Sequence, residues 1–86
     1  MMKHAGEAAL DEREPVLGAL RKLPRLKEKK RGTFYVGSKA FLHFHEDPAG
    51  LFADLKTSLD GGYERVRIRT SAERKRLVTL ARRALG

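Results

Sequence analysis

Between Thr33 and Arg69 the chain alternates short β-forming runs with turn signals, and that pattern restricts it to an antiparallel sheet. Thr33-Phe34-Tyr35-Val36 stops at Gly37-Ser38, a hairpin signal. Lys39 to Glu46 forms the next run. It ends at Asp47-Pro48-Ala49-Gly50, where proline pre-sets φ at the second turn position and glycine closes the turn. Leu51 to Lys56 follows, Asp60-Gly61-Gly62 turns the chain again, and Tyr63 to Arg69 is the fourth run. Links this short force neighbouring strands to be antiparallel.

Helical signals flank the sheet. Asp11 and Glu14 have capping-box spacing, and Pro15 falls in the first turn, where a missing N–H does least harm. Val16, Leu17, Leu20 and Leu23 recur at helical spacing until Pro24, which predicts a helix over about residues 12–22, with Gly18 as a weak point. Residues 25–32 read as a basic connector. Thr70-Ser71-Ala72-Glu73 is a second capping box, launching a helix to about Leu85 with its apolar stripe on Leu77, Leu80, Ala81, Ala84 and Leu85. The expected order is α-β-β-β-β-α. It describes a two-layer α+β sandwich with a four-stranded antiparallel meander, one domain over 11–86 preceded by a tail over 1–10.

Strand alternation divides the side chains between two faces. Val66 and Ile68 must meet the helices, because Tyr63, Arg65, Arg67 and Arg69 alternate with them. Closing the Asp47–Gly50 turn pairs Glu46 with Leu51, His45 with Phe52, Phe44 with Ala53 and His43 with Asp54. Ala40, Leu42 and Phe44 then join Leu51, Ala53 and Leu55 in the core. The first hairpin leaves two options: a two-residue loop turns Tyr35 inward, and one more loop residue turns Phe34 and Val36 inward. The outer face is expected to carry Phe41, His43, His45, Phe52, Asp54, Lys56, Tyr63, Arg65, Arg67 and Arg69.

The formal net charge is +8, and its placement matters more than its sum. Arg21 to Arg31 holds seven basic residues against Glu28, and Glu64 to Arg83 holds eight against Glu64 and Glu73. Such segregation attracts polyanions, although dense surface Arg, Lys and Glu also serve stability and solubility alone. No apolar run approaches the ~20 residues of a spanning helix, and the N-terminus lacks a signal-peptide pattern. With no cysteine there is no disulfide or thiolate zinc site, so a cytoplasmic protein without a cofactor is expected.

The outer face supports three readings. As a nucleic-acid platform, it would use Lys29, Lys30, Arg31, Arg65, Arg67 and Arg69 for the backbone, with Phe41, Phe52 and Tyr63 stacking bases. As a self-association surface, Phe41, Phe52 and Tyr63 would be covered by a second copy, giving a homodimer. As a metal site, His43 and His45 would join Asp54 in an open three-ligand arrangement, or Asp54 would orient His43 as a base. The same three residues also suit a purely structural cross-strand His–Asp bond. No nucleophile elbow or phosphate loop is present, so a non-enzymatic protein is expected.

The stretch Lys39-Ala40-Phe41-Leu42-His43-Phe44-His45-Glu46-Asp47, followed by Gly50-Leu51-Phe52-Ala53-Asp54-Leu55, resembles the core of a group of small uncharacterised bacterial proteins. In them a FLHFHED…GLFADL core precedes a basic strand and a terminal helix. The resemblance spans roughly residues 20–85. More distantly, the layout is similar to MmcQ/YjbR-like proteins, whose fold is frataxin-like (CyaY-like) and for which DNA binding has been proposed. This chain is shorter and lacks their longer N-terminal helical region. The resemblance implies an α+β fold and supplies no substrate, cofactor or active-site residue.

Overall fold

A computed structural model describes residues 3–4, 6–57 and 61–86 of the chain. In chain order the elements are β1 (Lys3–His4), α1 (Glu7–Glu12), α2 (Glu14–Arg21), β2 (Leu26–Lys30), β3 (Thr33–Val36), β4 (Lys39–Asp47), β5 (Gly50–Lys56), β6 (Tyr63–Arg67) and α3 (Ser71–Leu85). The sheet runs β2-β3-β4-β5-β6, with every neighbouring pair antiparallel. The nine-residue β4 outruns β3, and β1 takes the vacant edge beyond it, pairing His4 with His45 and Lys3 with Glu46. The α+β architecture is as the sequence pattern predicts, with five strands in the meander rather than four. The Asp60 part of the expected Asp60–Gly62 turn lies outside the described residues, as do Met1, Met2 and Ala5 of the expected tail.

One layer of helices covers one face. Helix α2 packs on β2, α3 packs on β5 and β6, and the two helices touch each other. Phe34, Leu42, Phe44, Ala53, Leu55, Val66 and Ile68 from the sheet meet Leu17, Leu20, Leu77 and Ala81 from the helices in one continuous core. Helix α3 begins as its sequence predicts. Thr70 accepts the Glu73 backbone N–H, and Glu73 accepts the Thr70 N–H in return. The Thr70 N–H, then the Arg67 side chain, hold the Glu73 carboxyl down to about 2. Among the described residues no helix is long and apolar enough to cross a membrane.

Three expectations need correction. The basic connector over 25–32 contains a strand, β2, which pairs with β3, packs Leu26 against the core and ties its charged residues to the helices. Arg21 of α2 grips Glu28 of β2 at 2.5 Å, and Glu28 also accepts the Gly32 N–H at 2.9 Å. Arg31 closes the same network on Glu7 (2.7 Å), Asp11 (2.8 Å) and Glu14 (2.6 Å). Arg21 foremost, with Arg31 beside it, keeps the Glu14 carboxyl below the usual carboxylate range. Solvent screens each of these pairs, and the network gains from sharing partners.

The N-terminal segment is not a loose tail. Residues 7–12 form α1, and Leu10 is buried in the core. The helix expected over about 12–22 is α2, and α1 is an additional helix that precedes it, the two being separated at Arg13. Pro15 cannot donate to the Asp11 carbonyl, so α1 stops and α2 restarts with proline in its first turn. Asp11 spends its carboxylate on Arg31 rather than on a cap.

The third correction concerns the first hairpin. Its loop has two residues, with Val36 opposite Lys39 and Tyr35 opposite Ala40. The register then shifts, and Phe34 lies opposite Leu42, which leaves Phe41 as the extra residue of a β-bulge. Phe34, Phe41 and Leu42 are all fully buried. Tyr35 and Ala40 consequently lie on the other face, so Ala40 is not an inward residue and Phe41 is not an outer one.

The turn between β2 and β3 depends on Gly32. Its φ is +79°, and a Cβ there would meet Leu10 Cδ2 at 2.8 Å. Gly32→Ala is expected to cost about 1–3 kcal/mol through the left-handed backbone alone. In urea titration the unfolding midpoint should fall, and an unchanged midpoint would show that the α1–β2 docking tolerates a side chain here.

Candidate functional site: the open face of the sheet

The helices leave the second face of the sheet uncovered, and the registers place its side chains in rows. Thr33, His43, Asp54 and Arg65 align across β3, β4, β5 and β6. His45, Phe52 and Arg67 form the next row, Lys56 pairs with Tyr63, and Lys27 and Ala40 flank Tyr35. Lys30 lies opposite Thr33 after a register shift that leaves Lys29 as the extra residue, and the Lys29 ammonium sits 4.7 Å over the Tyr35 ring. Alternation explains the sorting. Val66 is buried, whereas its neighbours Arg65 and Arg67 are exposed.

Asp54 sits at the centre and is 9% exposed, the buried charged residue of the described chain. Arg65 grips it in a two-pronged contact, Nε to Oδ1 at 3.0 Å and Nη2 to Oδ2 at 3.3 Å. His45 Nε2 approaches Oδ2 from the other side at 3.1 Å. His43 Nδ1 lies 2.6 Å from the same His45 nitrogen. A hydrogen on His45 Nε2 suits both the carboxylate and His43 Nδ1, since two lone pairs facing Asp54 would repel. Bonding of this kind offsets the cost of burying the carboxylate.

Aromatic rings frame the cluster. The His43 ring lies 5.1 Å from the Tyr63 ring and 4.5 Å edge-on from the His45 ring. Tyr63 is the exposed large apolar side chain of the described residues, at 45%. The Lys56 ammonium stands 5.5 Å above its ring. Burial first, then the Asp54 carboxylate and Tyr35, push the Tyr63 hydroxyl up, so it stays a neutral donor. Arg67 reaches Glu73 at 2.7 Å at the rim of the face.

Several residues expected on this face are elsewhere. Phe41 is in the core, carried there by the bulge. Arg31 is turned toward α1 and α2 by its three carboxylates. Arg69 follows the end of β6, where its N–H donates to Glu73, and its stem passes Gly50, the register partner of Asp47, at the end of the open face. Lys29, Lys30, Phe52, Tyr63, Arg65 and Arg67 are on the face, as are His43, His45 and Asp54. Tyr35 and Lys27 are the additions. Tyr35 outward belongs to one of the two hairpin options, and Lys27 alternates with the inward Glu28, but only the bulge selects that arrangement.

Because Asp54 and Arg65 share one contact, their substitutions should not add. Arg65→Ala strands a buried carboxylate, and in an Asp54→Ala background that penalty should shrink. The coupling is expected to be small and favourable, because Arg65 is half exposed and solvent screens the pair. A double-mutant cycle by urea unfolding measures it, and strict additivity would contradict the pairing. Compared with known protein families, with curated proteins and with solved structures, the chain matches none, so the chemistry of this face is read from its own geometry.

Proposed function

We propose that this chain is a non-enzymatic, cytoplasmic domain that binds single-stranded nucleic acid on the open face of its sheet. The supporting observation is the composition of that face. Lys27, Lys29, Lys30, Lys56, Arg65 and Arg67 surround Tyr35 and Tyr63, while among the described residues the acids on this side are each engaged, Asp54 by Arg65, Asp47 by its turn and Glu73, at the rim, by Arg67. Cations near a sheet edge can neutralise phosphates, and planar rings at its centre can stack bases without regard to sequence. The two lysine–tyrosine pairs suit this use: each ammonium can swing from ring to phosphate and free the ring face for a base.

The homodimer reading loses part of its basis. Its apolar patch was to be Phe41 and Phe52, but Phe41 is buried and Phe52 is half-buried. What remains exposed is charged and aromatic, a composition closer to a polyanion site than to a self-complementary interface.

Fluorescence anisotropy with a labelled single-stranded oligonucleotide tests the proposal. Affinity should fall with salt at a log–log slope of about −0.7 per phosphate neutralised. Lys27→Ala with Lys29→Ala should flatten the slope by about 1.4 if both meet phosphates. Tyr63→Ala should weaken binding about 5- to 150-fold, the equivalent of about 1–3 kcal/mol of stacking per base. No binding at low salt, or binding indifferent to these substitutions, would refute it.

A further inference from the structure

The centre of the open face carries a second inference, which does not depend on nucleic-acid binding. From the convergence of His43, His45 and Asp54, we infer that the sheet holds a site for one divalent transition-metal ion of the zinc class. One ligand atom from each of the three lies within 4.8 Å of the others. Two imidazole nitrogens and a carboxylate oxygen are the donor set that borderline cations such as zinc, cobalt and nickel prefer. Magnesium and calcium require more oxygen.

The geometry needs little adjustment. Tetrahedral zinc, with bonds of about 2.0–2.1 Å, sets its ligand atoms about 3.3 Å apart. His45 Nε2 and Asp54 Oδ2 are already 3.1 Å apart, and His43 Nδ1 and His45 Nε2 are 2.6 Å apart. The histidine rings therefore open by about 0.7 Å to admit the ion, a small rotation for two side chains on one strand. An ion between the two nitrogens takes the place of the single proton that the short contact requires.

The surroundings already orient the ligands. Arg65 holds Asp54 through Nε to Oδ1 and, at 3.3 Å, through Nη2 to Oδ2, which fixes the carboxylate plane with Oδ2 also within 3.1 Å of His45 Nε2. The Tyr63 ring packs at 5.1 Å against His43. Strand pairing places His43 opposite Asp54, and the i, i+2 spacing puts both histidines on one face, so three ligands come from two rigid neighbouring strands. With three protein ligands, the fourth position is left for water or another small donor. That makes it an open rather than a closed structural site.

Cobalt titration of the untagged protein tests the site, because a four-coordinate cobalt ion has intense visible absorption. One equivalent should saturate the signal, zinc should displace it, and magnesium should not. His43→Gln, at a half-exposed position, should weaken cobalt binding at least about tenfold while leaving the circular dichroism unchanged. Asp54→Asn should do the same, and Lys56→Ala should not. Zinc should also raise the wild-type unfolding temperature and fail to do so in His43→Gln. Absence of cobalt absorption at millimolar metal, or equal affinity in wild type and His43→Gln, would overturn the inference.

Discussion

An extra residue in an antiparallel strand does more than interrupt a ladder: it changes which side chains share a face from that point on. In β4 the extra residue is Phe41. Before it, Tyr35 and Ala40 lie on the open face; after it, Phe34 and Leu42 lie opposite each other in the core. The bulge lets Phe34, Phe41, Leu42 and Phe44 all enter one core in an 86-residue chain that has little apolar surface to spare. The same step takes Phe41 off the opposite face, where Phe52 stays half-buried and Tyr63 exposed. Both the core and the candidate site follow from it.

The helix layer is fastened to this sheet by complementary means. Apolar side chains of α2 and α3 bury against the centre, while the weakly apolar edge strand β2 is held by Arg21, Glu28, Glu14 and Arg31. That division spends the acids of the N-terminal third on the helix side. The lysines of β2 that point the other way face Tyr35 and Thr33 in register, and they contribute a positive rim to the open face.

Legibility in the sequence tracked how local the determining physics was. The β4–β5 register, including His43 opposite Asp54 and His45 opposite Phe52, followed from one proline–glycine turn and one apolar alternation, and it is the register observed. The start of α3 followed from a capping box contained in four residues. The bulge at Phe41 has no local signature, because Phe41 and Leu42 are both apolar and either could face inward. Strand β2 was hidden because Leu26-Lys27-Glu28-Lys29-Lys30 is charged, and it is pairing with β3, with Glu28 tied to Arg21 of α2, that makes it a strand. Helix α1 needed Gly32 and Arg31, 20 or more positions away, to give Leu10 and the acids of α1 their partners.

The central claim is that the uncovered face, and not the helix layer, is the working surface of this protein. Amide and side-chain NMR shifts recorded during titration with a single-stranded oligonucleotide test it most directly. Perturbations should centre on Tyr35, His43, Asp54, Tyr63 and Arg65 and spare Val16, Ala19 and Val78 of the helix layer. Shifts concentrated on α2 and α3, or no shifts at all at low salt, would contradict it.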